Sequence, residues 1–213
     1  RIKEGSIHVK GQDITCYREK EMQKLRGRIF SMIFQDPMTS LNPTIKIGKQ
    51  IGEAVVIHNK NYTKEQVNKK VLELMELVGI SHPKERYHQY PWQFSGGMRQ
   101  RVALIRTLVL KPDIMLLDEP FSALDYQTRL NVSDDIGQII KKEKKTAILV
   151  THDLAEAISL ADRILVLTSR PATIGQTVNV SFSDPGLSPL ARRNAPEFKT
   201  YFNLIWKELN PDE

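Results

Sequence analysis

Ile114-Met115-Leu116-Leu117-Asp118-Glu119-Pro120 is the stretch on which the fold turns. Its four bulky apolar residues suit a short strand covered on both faces. Two carboxylates end the strand, and Pro120 follows them. In an α/β sheet, ligands bind outside the carboxyl ends of the strands. A carboxylate there can hold Mg2+, mostly through water. A second one beside it can orient or deprotonate an attacking water. Taken alone, the pair is more often simply a solvated strand end, since Asp-Glu pairs are common.

Working outward, Thr146–Val150 is predicted as the next buried strand, and Thr151-His152-Asp153 follows it. His152 is therefore expected at the same sheet edge as Asp118 and Glu119. Helices are predicted over Leu130–Lys145 and Leu154–Leu160, with a further strand over Arg163–Leu167. Strands alternating with helices imply a parallel sheet with right-handed crossovers. Upstream, Ile29–Phe34 is a compact apolar run predicted as a buried strand, stopped at Gln35-Asp36-Pro37. Gln35 is a residue type suited to orienting a water and sensing a bound metal. Ser6–Val9 and Gln12–Thr15 flank Lys10-Gly11 and read as a hairpin. Thr173–Val180 reads as an antiparallel edge, and Pro196–Leu209 as a terminal amphipathic helix.

A helical insertion is predicted between these elements, from Ile45 to Tyr90. Thr63-Lys64-Glu65-Gln66 is a capping-box pattern. Val67, Val71, Leu74, Leu77 and Val78 then fall at helical spacing, with Gly79 placed as a C-terminal cap. Phe94-Ser95-Gly96-Gly97-Met98-Arg99-Gln100 leads into another helix, expected over Gly97–Leu110. Glycines let backbone approach an anion, and a helix N-terminus offers free N–H groups and the positive dipole end. The blander reading makes Ser95 a plain N-cap.

Composition narrows the class. The chain has 213 residues, of which 40% are hydrophobic and 26% charged, so it can build a sizeable α/β core. Its longest apolar runs are too short to cross a bilayer. No basic-then-apolar leader opens it, and a lone Cys16 fits a reducing cytosol better than a disulfide framework. The net charge of +6 is spread among acidic residues, which argues against nucleic acid as a partner. His8, His58, His82 and His88 have no convincing metal-ligand spacing.

The order of the pieces resembles one family. Gln35-Asp36-Pro37 resembles the Q-loop of ABC-transporter ATP-binding subunits. Ser95-Gly96-Gly97-Met98 resembles their signature motif, with Met98 where many members carry Gln. Ile114–Glu119 resembles the Walker B strand, Ser122-Ala123-Leu124-Asp125 the D-loop, and His152 the switch histidine. The resemblance implies an α/β, P-loop NTPase-like parallel-sheet core with an inserted helical subdomain. It implies ATP and Mg2+ as cofactors, with Asp118 and Gln35 toward the metal and Glu119 as general base. His152 would meet the γ-phosphate, and Gln35 would link metal and water to the membrane-subunit interface. Ser95, Gly96, Gly97 and Met98 would face the nucleotide held by the opposite subunit of a head-to-tail dimer, whose interface Asp125 would line. The implied partners are ABC permease subunits and a second ATPase subunit, homologous or identical. The implied location is the inner face of the cell membrane. The expected segments are 1–44 (core remnant and Q-loop), 45–93 (helical subdomain), 94–182 (signature helix and core) and 183–213 (linker and helix).

The sequence departs from that family in two ways. The pattern Gly-x4-Gly-Lys-Ser/Thr is absent: at its one Gly-Lys pair, Gly48-Lys49, Pro43 stands at the leading glycine position and Gln50 follows. The fold is therefore expected to be N-terminally truncated, without the phosphate cradle, and to leave strand edges exposed to association. Two readings follow: an importer ATPase subunit seen without that loop, or a non-hydrolytic partner supplying Ser95–Gly97 in trans. A DNA-maintenance ATPase is disfavoured, because no long coiled-coil insertion separates the halves. Secondly, Met32–Asn42 looks like peptide and nickel importer ATPases, whereas Asp118–Asp125, Ala161–Arg163 and Arg170–Ile174 look like nitrate, sulfonate and taurine importer ATPases. A joint is expected within the shared stretch Gln93–Val102.

Overall fold

The structure is a computed structural model that describes residues 4–34 and 41–210. Strands β1 (His8–Val9) and β2 (Gln12–Asp13) form the expected antiparallel hairpin. Lys10 and Gly11 both take positive φ, 50° and 77°, the geometry of a two-residue primed turn. Helix α1 (Glu19–Leu25) leads to β3 (Phe30–Ile33). Residues 35–40, with Gln35-Asp36-Pro37, lie outside the described residues.

The helical insertion contains α2 (Ile47–His58), α3 (Lys64–Leu77) and the single turn α4 (Pro83–Arg86). Thr63 caps α3 reciprocally: its Oγ1 accepts from the Gln66 backbone N–H at 3.3 Å, and Gln66 Oε1 accepts from the Thr63 N–H at 2.8 Å. Val67, Val71, Leu74 and Val78 are buried, Leu77 packs against the same core, and Gly79 has φ of 70°. Helix α5 (Gly96–Leu108) then crosses toward β4 (Ile114–Asp118).

Helix α6 spans Tyr126–Lys142, starting four residues before the predicted Leu130. Asp125 explains the earlier start, because its carboxylate accepts from the Thr128 N–H at 3.0 Å and caps the helix there. Next come β5 (Thr146–Val150), α7 (Leu154–Leu160), β6 (Arg163–Leu167), β7 (Ile174–Asn179), the short α8 (Pro189–Arg192) and α9 (Pro196–Leu209). No helix among the described residues is long and apolar enough to cross a membrane.

Strands β3, β4 and β5 form a parallel sheet in that order. Strand β6 does not join it; it pairs antiparallel with β7 in a separate ribbon. The expectation of strands buried on both faces needs correction. In register, Ser31 and Met115 lie beside Ala147, and Ile33 and Leu117 beside Leu149. Met115, Leu117 and Ile33 enter one core with Leu104, Ile105 and Ile136 from the crossing helices. The alternate rows, Met32–Leu116–Ile148 and Asp118–Val150, belong to the opposite face. There Ile148 and Val150 are 53% and 57% exposed. Apolar runs predicted burial of both faces; among the described residues the packed helices cover one face over β3 and β4, and Ala147 of β5 stays exposed even on that side. A second cluster holds Ile158, Val166, Val178 and Phe182 against Ile205 of α9.

Candidate functional site

Asp118 is the last residue of β4, where it pairs with Val150. The chain then turns sharply. Glu119 sits at φ of 41°, a left-handed conformation that costs a non-glycine residue energy and must be held by its surroundings. Three contacts hold it. Its N–H donates to the Val150 carbonyl at 2.8 Å, and its own carbonyl accepts from the Ser122 N–H at 3.2 Å and the Ser122 hydroxyl at 3.0 Å. The loop after β5 brings His152 opposite, with Nδ1 3.0 Å from Glu119 Oε1. The Glu119 side chain is 26% exposed and His152 is 73% exposed. A fixed carboxylate thus faces solvent beside an imidazole that is open to a ligand.

Asp118 is a half-buried oxygen donor next to this pair. No group of three His, Cys, Asp or Glu poised for a metal occurs among the described residues. Mg2+ binds through one or two carboxylates, with phosphate and water filling its other positions, so Asp118 fits as its protein ligand.

Ser95 caps α5 by accepting from the Met98 N–H at 3.3 Å, and it is exposed at the helix N-terminus. The glycines beside it have a packing reason. A methyl at Gly97 would lie 2.8 Å from Thr128 Cγ2 and 3.0 Å from Val132 Cγ2 of α6. One at Gly96 would lie 3.0 Å from Leu124 Cδ2. The glycine pair is therefore where α5 passes closely over α6 and the loop before it. Met98 packs at the edge of the main core. Asp125 is exposed, and the Thr128 N–H and hydroxyl hold its carboxyl below the ordinary carboxylate value. Its visible task is capping α6.

The structure thus brings Asp118, Glu119 and His152 to one sheet edge and seats Ser95–Gly97 on the Leu124–Val132 segment. Gln35 lies outside the described residues. Sequence reasoning missed a group beside His152: Arg129, Asp153 and Glu156. Asp153 accepts from the Ala155 and Glu156 N–H groups at 2.8 and 3.1 Å and so caps α7. The spacing Asp153-x-x-Glu156 carried that signal. Arg129 had no local signal, because its partners are distant in sequence.

Comparison with known proteins shows the family of the chain. The ABC transporter family profile matches residues 1–122. The oligopeptide transport ATP-binding protein OppD of Bacillus subtilis is 44% identical over 184 residues, 86% of this chain and 51% of its own length. The dipeptide transport ATP-binding protein DppD of the same organism is 42% identical over 183 residues, covering 85% and 54%. The B. subtilis ABC transporter ATP-binding protein YtlC is 35% identical over 97% of this chain and 74% of its own length. The chain spans about half the length of the peptide-transport relatives it matches. Alignments of this length run across Gln93–Val102, so single relatives span both halves of the chain. In fold, the chain resembles the dimeric ATP-binding cassette MJ0796, solved in a post-hydrolysis state bound to ADP and Pi. That match has a TM-score of 0.70 and 23% identity, covering 84% of this chain and 75% of that one.

Proposed function

The chain belongs to the ABC transporter family, and from that premise we propose that it carries the hydrolytic sheet edge and the signature helix of an importer's ATP-binding subunit. The observation that carries this reading is the 3.0 Å contact between Glu119 and His152 at the carboxyl ends of β4 and β5. Names of the similar proteins favour oligopeptides or dipeptides as the cargo. Permease subunits and a second ATP-binding subunit are the partners, which places the protein peripherally on the membrane's inner face.

In this reading Glu119 accepts the proton of a water that attacks the γ-phosphorus of ATP, as the bond to the bridging oxygen breaks. His152 holds Glu119 in place through Nδ1 and keeps the rest of its exposed ring for the γ-phosphate. Asp118 is the residue that would hold Mg2+, whose charge neutralises the phosphate oxygens. Ser95, Gly96 and Gly97 present the N-terminus of α5 to the nucleotide of the opposite subunit, and Asp125 holds the neighbouring loop at that interface. The Gly-x4-Gly-Lys-Ser/Thr cradle is not among these 213 residues. A second reading, in which the chain serves an intact subunit in trans, draws on the exposed N-terminus of α5 at Ser95.

One experiment separates the two. A segment bearing the phosphate-binding loop is joined ahead of Arg1, and Mg-ATP turnover is measured. The expected result is turnover that Glu119→Gln lowers by about 10²–10⁴-fold, the usual worth of a general base. No turnover from the joined protein, together with Ser95-dependent stimulation of an intact peptide-importer subunit by the chain itself, establishes the trans reading instead.

A further inference from the structure

The carboxylate of Glu156 is 4% exposed, although charged groups are costly to bury. It belongs to a network that surrounds the His152 loop. Glu156 Oε2 accepts from the Thr151 hydroxyl at 2.9 Å. The Thr151 oxygen in turn accepts from the Asp153 N–H at 3.0 Å. The two residues flanking His152 are therefore both fixed, while its ring meets Glu119 through Nδ1 and keeps its other edge toward solvent. Across the gap stands Arg129, one turn into α6. Its Nη2 donates to the Leu124 carbonyl at 3.2 Å. Its Nη1 lies 3.6 Å from Asp153 Oδ2, and its Nε lies 3.9 Å from Glu156 Oε1. A single guanidinium thus spans the loop after β4, which carries Glu119, and the loop after β5, which carries His152. A planar fork with several donors can do this; a point charge on a flexible stem cannot.

We propose that Arg129, Thr151 and Glu156 are positioning residues that set His152 against Glu119 by tying the two loops together. None of them touches the reacting atoms. The inference rests on the reading of Glu119 and His152 as the hydrolytic pair, but its geometry stands without nucleotide. Arg129 Nε is buried and has no hydrogen-bond partner, so the carboxylates hold the arginine by charge rather than by closed hydrogen bonds.

The test is NMR of the imidazole of His152 in the full chain, without ATP. Thr151→Val cuts the Glu156 tie without changing charge, and Arg129→Gln removes the bridge. Both are expected to move the His152 ring signals toward those of the exposed His8, and Arg129→Lys is expected to restore them incompletely. Ile139→Val, a core truncation in the same helix as Arg129, is expected to lower stability and leave the His152 signals in place. Unchanged His152 signals in Thr151→Val would overturn the proposal, whether or not Arg129→Gln folds. So would equal movement in Ile139→Val. The expected movement, together with no turnover from the loop-joined protein, would count against the hydrolytic reading alone.

Discussion

The two faces of the β3–β4–β5 sheet are built from the same kinds of residue and have different fates. On the inner face, Met115 and Leu117 are buried under α5 and α6 with Leu104 and Ile136. On the other face, one residue along in register, Leu116 is half-buried and Ile148 and Val150 are more than half exposed. In the β6–β7 ribbon, Leu165, Leu167 and Ile174 are exposed as well. Apolar character alone thus does not bury a strand; burial needs an element long enough and close enough to cover it. An open apolar sheet face is also the kind of surface on which chains associate.

Substitutions on the two faces measure that contrast. Met115→Ala on the inner face should cost about 2–5 kcal/mol, read as a fall in the denaturant midpoint. A loss below about 1 kcal/mol would mean that the inner face is not the packed one.

A pH titration of stability sharpens the picture on the α7 side. Burial pushes the Glu156 carboxyl above its ordinary value of 4.5, and Asp153 adds to the rise, while the Thr151 hydrogen bond, Arg129 and Arg193 oppose it. For an acid raised on folding, the native state holds its proton more tightly than the unfolded chain. Its contribution to stability is therefore fully present below about pH 4.5 and is lost as pH rises through the raised native value. Glu156→Gln should flatten that part of the stability curve. An unchanged curve would place the charge of Glu156 in a more solvated setting.

The smallest effect is expected on the open face. Ile148→Thr should change stability by less than about 0.5 kcal/mol, because little packing is lost there. The same change combined with Val150→Thr should lower self-association, as measured by sedimentation. A cost comparable to Met115→Ala would show that the open face is covered in solution.

Much of the site was legible before any coordinates. Asp118 and Glu119 end an apolar run, and His152 follows the next one, so parallel alternation alone put them at one edge. The contact at 3.0 Å realises that placement. The positive φ of Glu119 was not legible, because nothing in Asp118-Glu119-Pro120 requires it; the return of the chain under Val150 imposes it. Gly96 and Gly97 were legible as a pair, but their spacing suits an anion cradle and a close helix crossing equally. The contacts to Leu124, Thr128 and Val132 give the pair a packing role.

The sequence by itself determined the order of elements, the capped start of α3 at Thr63, the hairpin at Lys10-Gly11 and the edge where the carboxylates gather. These depend on periodicity, capping and turn chemistry, which act within a few residues. Tertiary structure alone decided that β6 leaves the parallel sheet, that the described helices cover only one sheet face, and that Arg129 meets Asp153 and Glu156 from another helix. Those outcomes depend on which surfaces come within a few ångströms of each other, and no local pattern encodes that distance.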